Sequence, residues 1–250
     1  MGQGLSKLQN AFNWAHNRLV PPSKTKFQGQ LIGHRGLYGH PTLIENTLPA
    51  FEYAIRHGAG LEYDLQLSKD GIPLIHHDQS LNRVFGLPNQ PREEAWSITR
   101  TVCPAIPSLE QFLLRFYQSC PHHMVEFKPG DTEDRTLELI EKTHAQFEQL
   151  GLLHRVTFLS LDPNILRMIK EVCPNSPRAF VYLVSPKKGL EYLIEDPDCQ
   201  LAGWFFRYPK KIPNRQQLGV GFLNHPRGFE WQARQNWKYI FTDRIDRLLP

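Results

Sequence analysis

The sequence predicts an α/β chain folded as a (β/α)8 TIM barrel, with a β-hairpin and a short insertion at its C-terminal mouth. Eight short apolar runs, at 31–34, 61–66, 123–128, 155–160, 178–183, 201–206, 219–224 and 238–242, alternate with helix-length segments. That is the rhythm of parallel strands joined by crossover helices. The chain has 250 residues, an ordinary size for one undivided barrel of this kind. A ninth run, Ile72–His77, follows 61–66 too closely to be its parallel neighbour, because a parallel connection needs a dozen or more residues. It must return antiparallel as a hairpin. If Asp70 and Gly71 are the two central turn residues, Leu67 opposes Leu74 and Asp64 opposes His77, whereas a longer turn slips this register by a residue or two.

The elements follow in order. Leu5, Leu8, Phe12, Ala15 and Leu19 step at helical spacing, so residues 1–29 read as an N-terminal amphipathic helix and linker, broken at Pro21-Pro22-Ser23, before a barrel domain over 30–250. That helix plugs the bottom of the fold or makes a weak peripheral membrane contact; Trp14 on its opposite face keeps the second use open. The opening MGQGLS also fits an acylation pattern at Gly2. Thr47 is the expected N-cap of a helix carrying Phe51, Ala54 and Ile55 and stopped near Gly58. Residues 79–105 form a polar, proline-containing insertion without clear period, expected to be a functional lid or disordered. Ile106-Pro107-Ser108 and the helix-like LEQFLLRFYQ follow.

Composition narrows the function classes. The chain is 40% hydrophobic and 22% charged, with formal net charge +4 and pI near 8.9, too mildly basic to imply nucleic acid. Within 201–250, nine Lys/Arg face three acids, which favours an anionic ligand or a solvated basic face. Cys103, Cys120, Cys173 and Cys199 form no CxxC pair and no clustered metal spacing; they read as free thiols in a reducing compartment. No signal-type run and no stretch of 18 apolar residues is present, so a soluble, cytoplasmic protein is expected, with oligomeric state left open.

The chemistry concentrates in two strands. Alternation puts Glu62 and Asp64 on one face with Tyr63 on the other, and the same step pairs Glu126 with Lys128. Three carboxylates facing a barrel interior with one lysine are costly unless a cation joins them, and oxygen ligands suit Mg²⁺ or Ca²⁺. His34 ends the first strand and His77 ends the hairpin, so both reach the mouth where barrel enzymes act. Two histidines flanking a metal suit acid–base cleavage of a phosphate ester.

Nine short motifs then occur in order: His34-Arg35-Gly36, Glu45-Asn46-Thr47, Glu62-x-Asp64, Lys69-Asp70-Gly71, His77-Asp78, Leu81-Asn82-Arg83, Ile106-Pro107-Ser108-Leu109, Glu126-x-Lys128 and Thr242-Asp243. Over roughly residues 30–245 this pattern resembles the glycerophosphodiester phosphodiesterase family. The resemblance implies a (β/α)8 barrel that hydrolyses glycerophosphodiesters such as glycerophosphocholine or glycerophosphoethanolamine to glycerol 3-phosphate and an alcohol. It implies metal binding by Glu62, Asp64 and Glu126, proton exchange by His34 and His77, and phosphate binding by Arg35 and Lys128 with Glu45 close by. A lysophospholipase D or sphingomyelinase D-like lipid phosphodiesterase would use the same residues, and a non-catalytic barrel binding anionic lipid heads is the rival from another class. Where the family often has Trp-Thr-Val-Asn, this chain has Gly221-Phe222-Leu223-Asn224, so an aromatic wall falls to Phe222, Trp204 or Trp231. Arg83 touches substrate or ties down the insertion, His76 points outward, His122 and His123 precede a strand as loop residues, and Glu45 is either a direct metal ligand or a group that stands behind the ligands or caps a helix.

Overall fold

The computed structural model describes residues 27–183, 187–204, 217–234 and 237–248; the predicted N-terminal helix lies outside them. Among the described residues the strands are β1 (Gln30–Gly33), β2 (Gly60–Leu67), β3 (Pro73–Ile75), β4 (His123–Phe127), β5 (Val156–Ser160), β6 (Arg178–Tyr182), β7 (Gln200–Trp204), β8 (Gln217–Gly221) and β9 (Tyr239–Thr242). The helices are α1 (Leu48–Arg56), α2 (Asn82–Phe85), α3 (Trp96–Val102), α4 (Leu109–Phe116), α5 (Glu133–Gln149), α6 (Pro163–Val172), α7 (Lys187–Glu195), α8 (Pro226–Ala233) and α9 (Ile245–Leu248). Parallel pairing runs from β1 through β9, β8, β7, β6, β5, β4 and β2 and returns to β1, closing a (β/α)8 barrel with only β3 antiparallel, on β2. No described helix is long and apolar enough to cross a membrane.

Strand alternation divides the residues into two environments. Outward residues such as Leu61, Tyr63, Leu65, Val125 and Phe127 pack with helix residues Phe51, Phe112, Ile140 and Phe147. Inward, Ile32, Met124, Leu159, Ala179, Ala202, Leu218 and Phe241 fill the barrel. Above that plug the inward positions of β2 and β4 become charged, and the parallel register sets Asp64 beside Glu126.

Thr47 occupies the N-cap of α1 as expected, but its hydroxyl donates to Ile44 O (2.6 Å) and does not cap the helix. Ser108 does cap α4, in a reciprocal pair with Gln111. The insertion is ordered rather than shapeless. It holds α2, α3 and a 3₁₀ turn at Pro91–Glu93 around Leu74, Leu81, Cys103 and Ile106, with Phe85, Leu87 and Trp96 packed against them. Helices of four and seven residues are too short to display a 3.6-residue period.

The hairpin register is corrected by one residue. Gly71 N donates to Ser68 O and Ser68 N to Ile72 O (both 3.0 Å), so the loop is Lys69-Asp70-Gly71, with Gly71 at φ +82° closing it. Leu67 therefore faces Pro73, and His76 N, not His77, bonds Asp64 O (3.1 Å). The ladder ends at Ile75, and beyond it the chain turns. His76 is buried against Phe85 with Nε2 near Ser80 O (3.2 Å), not outward as expected, while the His77 side chain stays 32% exposed at the mouth.

His122 and His123 also differ from expectation, because they belong to the barrel floor and core. His123 lies in β4 with Nδ1 against Tyr63 OH (3.1 Å), and His122 Nε2 meets Thr157 Oγ1 (3.0 Å) and Tyr239 OH (3.2 Å). Burial pushes both imidazoles down to about 3. A histidine so depressed leaves the unfolded chain binding more protons between its folded value and about 6.5, so stability is complete above that range and falls as pH drops through it. We expect His123→Asn to lose stability at pH 7 but to reduce the loss between pH 7 and pH 4 by up to about 3 kcal/mol, measured by urea unfolding at several pH values. An unchanged pH slope would place the acid sensitivity elsewhere.

Candidate active site

Two unusual backbone positions shape the floor of the mouth. Arg35 and Asn46 are non-glycine residues at φ +51° and +56°, and Asn46 N donates to Arg35 O (2.9 Å), locking the two strained turns together. In this conformation Arg35 N reaches Glu62 Oε2 (2.8 Å), and Asn46 Nδ2 donates to Asp64 Oδ2 (2.9 Å). The guanidinium of Arg35 donates to Glu45 Oε1 (2.8 Å), with Nε 3.4 Å from Asp64 Oδ2.

Glu62, Asp64 and Glu126 converge, with one ligand atom from each lying within 4.8 Å of the others. Lys128 Nζ bridges Asp64 Oδ1 (2.8 Å) and Glu126 Oε1. The carboxylates do not share one electrostatic state. Burial, then Asp64 and Glu126, push the Glu62 carboxyl well above the usual carboxylate range. Burial acts on Asp64 too, but Lys128, Arg35 and His77 outweigh it and hold Asp64 well below that range. Burial opposes the charge on Lys128 as well, yet Asp64 and Glu126 raise its pKa. An all-oxygen donor set with one carboxyl forced toward neutrality by its neighbours fits a hard divalent cation, whose charge would let all three ionise.

The histidines stand over this cluster, each braced from behind. His34 Nδ1 meets Asp243 Oδ1 (2.6 Å), and Asn224 fixes Asp243 by donating from Nδ2 to Oδ2 (2.6 Å) and accepting from its backbone N–H (2.8 Å). The Nε2 edge of His34 lies 3.9 Å from Glu62 Oε2. His77 Nδ1 meets Asp78 Oδ1 (2.6 Å). Burial would raise Asp78, but His77 and Arg83 lower it, so the carboxylate is ionised and His77 Nδ1 must carry the proton. In both rings the nitrogen that meets the carboxylate is Nδ1.

Glu45 is neither a helix cap nor in the three-carboxylate cluster; it lies between Arg35 and Arg83, which together overcome its burial and lower its pKa. Arg83 ties Glu45 and Asp78 together. Phe222 stacks on His34 at 4.0 Å and 24°, supplying an aromatic surface beside that ring, whereas the Trp204 side chain lies outside the described residues. A side chain at Gly221 is excluded by Phe241, whose Cβ lies 2.6 Å from where its own would be.

Sequence reasoning assigned no role to Asp243, Asn224 or Asn46, although two of them stood in recognised motifs. Barrel closure carried the signal: β1 and β9 pair Gly33 with Thr242, so the residues after them are neighbours.

Comparison with known proteins supplies the family. A sequence model of the glycerophosphoryl diester phosphodiesterase family matches residues 34–238. The chain belongs to that family. A Bacillus altitudinis glycerophosphodiester phosphodiesterase is 27% identical over 158 residues, covering 58% of this chain and 63% of that one. A mouse lysophospholipase D is 39% identical over 70 residues, covering 28% of this chain and 21% of that protein. The chain thus matches less than two thirds of the length of these relatives. Among solved structures, an Oleispira antarctica phosphodiesterase in complex with the product sn-glycerol-3-phosphate has TM-score 0.73 at 20% identity, over 93% of this chain and 97% of that one. A Thermotoga maritima glycerophosphodiester phosphodiesterase has TM-score 0.71 at 22% identity, over 89% and 97% of the two chains. These likenesses establish the family and the barrel.

The cluster's electrostatics generate a prediction that needs no substrate. Mg²⁺ or Ca²⁺ at 100 times its Kd should stabilise the wild-type chain by about 2.7 kcal/mol in thermal unfolding. Glu62→Gln should abolish most of that gain while leaving cation-free stability nearly unchanged, since the carboxyl it replaces is already driven toward neutrality. A full cation response in this variant would remove Glu62 from the ligand set.

Proposed function

We propose that this chain hydrolyses glycerophosphodiesters, such as glycerophosphocholine or glycerophosphoethanolamine, to glycerol 3-phosphate and an alcohol. The observation that carries the reading is the pair of carboxylate-braced histidines, His34 on Asp243 and His77 on Asp78, set over Glu62, Asp64 and Glu126. The names of the relatives and the glycerol phosphate in the Oleispira antarctica structure support it.

In this reading Glu62, Asp64 and Glu126 hold Mg²⁺ or Ca²⁺. Bound there, the cation supplies Lewis-acid polarisation of the phosphoryl group. Arg35 and Lys128 bind the phosphate oxygens, where the positive field of fixed groups offsets charge developing in the transition state. One histidine takes the proton of the attacking hydroxyl through Nε2 as its oxygen bonds to phosphorus. The other donates a proton to the alcohol oxygen as the old phosphorus–oxygen bond breaks. The attacking hydroxyl belongs to water or to the glycerol itself through a cyclic phosphate. Phe222 beside His34 offers apolar contact to the part of the substrate lying there.

A lysophospholipase D reading uses the same residues on a lipid that keeps its acyl chain. It is favoured by the match to the mouse enzyme and by exposed Ile44 and Leu161, which follow the first and fourth strands of the barrel at its mouth. Offering glycerophosphocholine and lysophosphatidylcholine side by side, with and without cation, separates the two. Release of glycerol 3-phosphate that chelation stops supports the first, whereas preference for the acylated substrate overturns it in favour of the second.

The division of labour has its own test. His34→Ala and His77→Ala should each lower kcat by about 10²–10⁴, the range for a lost proton-transfer group. A nitrophenyl ester, whose leaving group departs without protonation, should restore only the variant lacking the acid. Equal restoration of both, or of neither, would dissolve the one-acid, one-base assignment.

A further inference from the structure

Arg83 belongs to the insertion, not to the barrel wall, yet all three of its nitrogens are committed to the active site. Nε donates to Asp78 Oδ2 (2.5 Å), Nη1 to Glu45 Oε2 (3.0 Å) and Nη2 to Glu45 Oε1 (2.7 Å). Each carboxylate faces a functional group on its other side. Asp78 Oδ1 meets His77 Nδ1 (2.6 Å), and Glu45 Oε1 accepts from Arg35 Nη1 (2.8 Å), whose Nε is 3.4 Å from Asp64 Oδ2. A continuous chain of charged contacts therefore runs from His77 through Asp78, Arg83 and Glu45 to Arg35 and Asp64.

We propose that Arg83 is a positioning residue that holds His77 as its Nδ1–H tautomer and Arg35 in place by clamping the carboxylates bonded to them. The proposal rests on the phosphodiesterase reading above for its kinetic consequences, not for its geometry.

A plain loop tie is the competing role, and the insertion has other ties for that purpose. Gln66 Nε2 donates to His76 O (2.8 Å) and Asp78 O (2.9 Å), and Arg92 Nε donates to Gln66 Oε1 (3.0 Å). Trp96 N donates to Asp70 Oδ1 (2.8 Å), Lys69 N to Glu94 O (3.0 Å), and the apolar cluster around Leu81 and Ile106 packs below. These bonds place the backbone on both sides of His77. They leave the rotamers of Asp78 and His77 free, and Arg83 removes that freedom. Its side chain is 44% exposed, so its ion pairs contribute little to global stability. Its value is geometric: one planar guanidinium meets two carboxylates at once, which the single point charge of lysine does not do.

That distinction supplies the experiment. Arg83→Lys and Arg83→Ala should both lower kcat for the glycerophosphodiester substrate by about 10–100-fold, the usual effect of losing a group that orients a functional side chain. KM should change by less than about threefold, and the melting temperature by less than about 3 °C. Low millimolar guanidinium should restore part of the activity of Arg83→Ala and none of that of Arg83→Lys. Asp78→Asn combined with Arg83→Ala should be little worse than either alone, because both break the same chain of contacts. Imidazole ¹⁵N spectra, with the His77 signals assigned by their loss in His77→Gln, should show the Nδ1–H tautomer in the wild-type chain and a tautomer mixture in Arg83→Ala. The spectra need no turnover: a wild-type chain inactive on every phosphodiester tested overturns the functional reading, while the tautomer still decides the role of Arg83. An unchanged His77 tautomer in Arg83→Ala, or Arg83→Lys keeping more than about half of wild-type kcat, overturns the proposal.

Discussion

Three carboxyl groups, two of them buried, whose ligand atoms lie within 4.8 Å of one another are the constraint around which the mouth of this barrel is arranged. In a medium of low dielectric such a cluster repels itself by several kcal/mol unless cations meet it. The chain supplies two from opposite directions: Lys128, two residues along β4 from Glu126, and Arg35, delivered by a backbone turn that only a strained φ permits. The strain at Arg35 and Asn46 is thereby explained. Extended backbone at either residue would remove Arg35 N from Glu62 or the Asn46 amide from Asp64. Even so, burial, together with Asp64 and Glu126 beside it, keeps Glu62 pushed toward its neutral form.

The fold serves this electrostatic purpose through register. Parallel pairing of β2 with β4 places Asp64 and Glu126 side by side, and alternation sends Tyr63 and Val125 outward into the helix layer at the same time. An apolar plug of Ile32, Met124, Leu159 and Phe241 lies below and denies water an approach from the barrel interior. The inward carboxylates of β2 and β4 are thus gathered in one layer above that plug.

Much of this was legible in the sequence because it depends on strict periodicities. Eight strands with helix-length spacers, the inward faces of 62/64 and 126/128, and the mouth positions of His34 and His77 all follow from counting residues. The strand expected at 219–224 ends instead at Gly221, so Asn224 stands in the loop, where it reaches Asp243. The brace on His34 escaped detection because it joins residues far apart in sequence; His34 and Asp243 are 209 residues apart, and only closure of the sheet makes them adjacent. The hairpin register stayed open between two turn lengths for a different reason. Two- and three-residue turns differ in where the left-handed glycine sits, and Asp70-Gly71 satisfies either until the hydrogen bonds of Ser68 are known. The insertion's short helices carried too few turns to imprint a period.

The seam between β1 and β9 has a consequence for the life of the chain before it is complete. A ribosome releases the amino end first, so His34, the carboxylate cluster, His77 and the insertion all emerge while the partner of β1 on the far side is still unmade. Until Tyr239–Thr242 arrives the barrel has an open edge along β1 and β8, and His34 lacks both Asp243 and the Asn224 bracket that depends on it. Synthesis of β9 therefore seals the sheet and completes the bracket on His34 in one event. A nascent chain that stops short of β9 would carry His34, Glu62, Asp64, His77 and Glu126 and still lack the contact that holds the first of them in place.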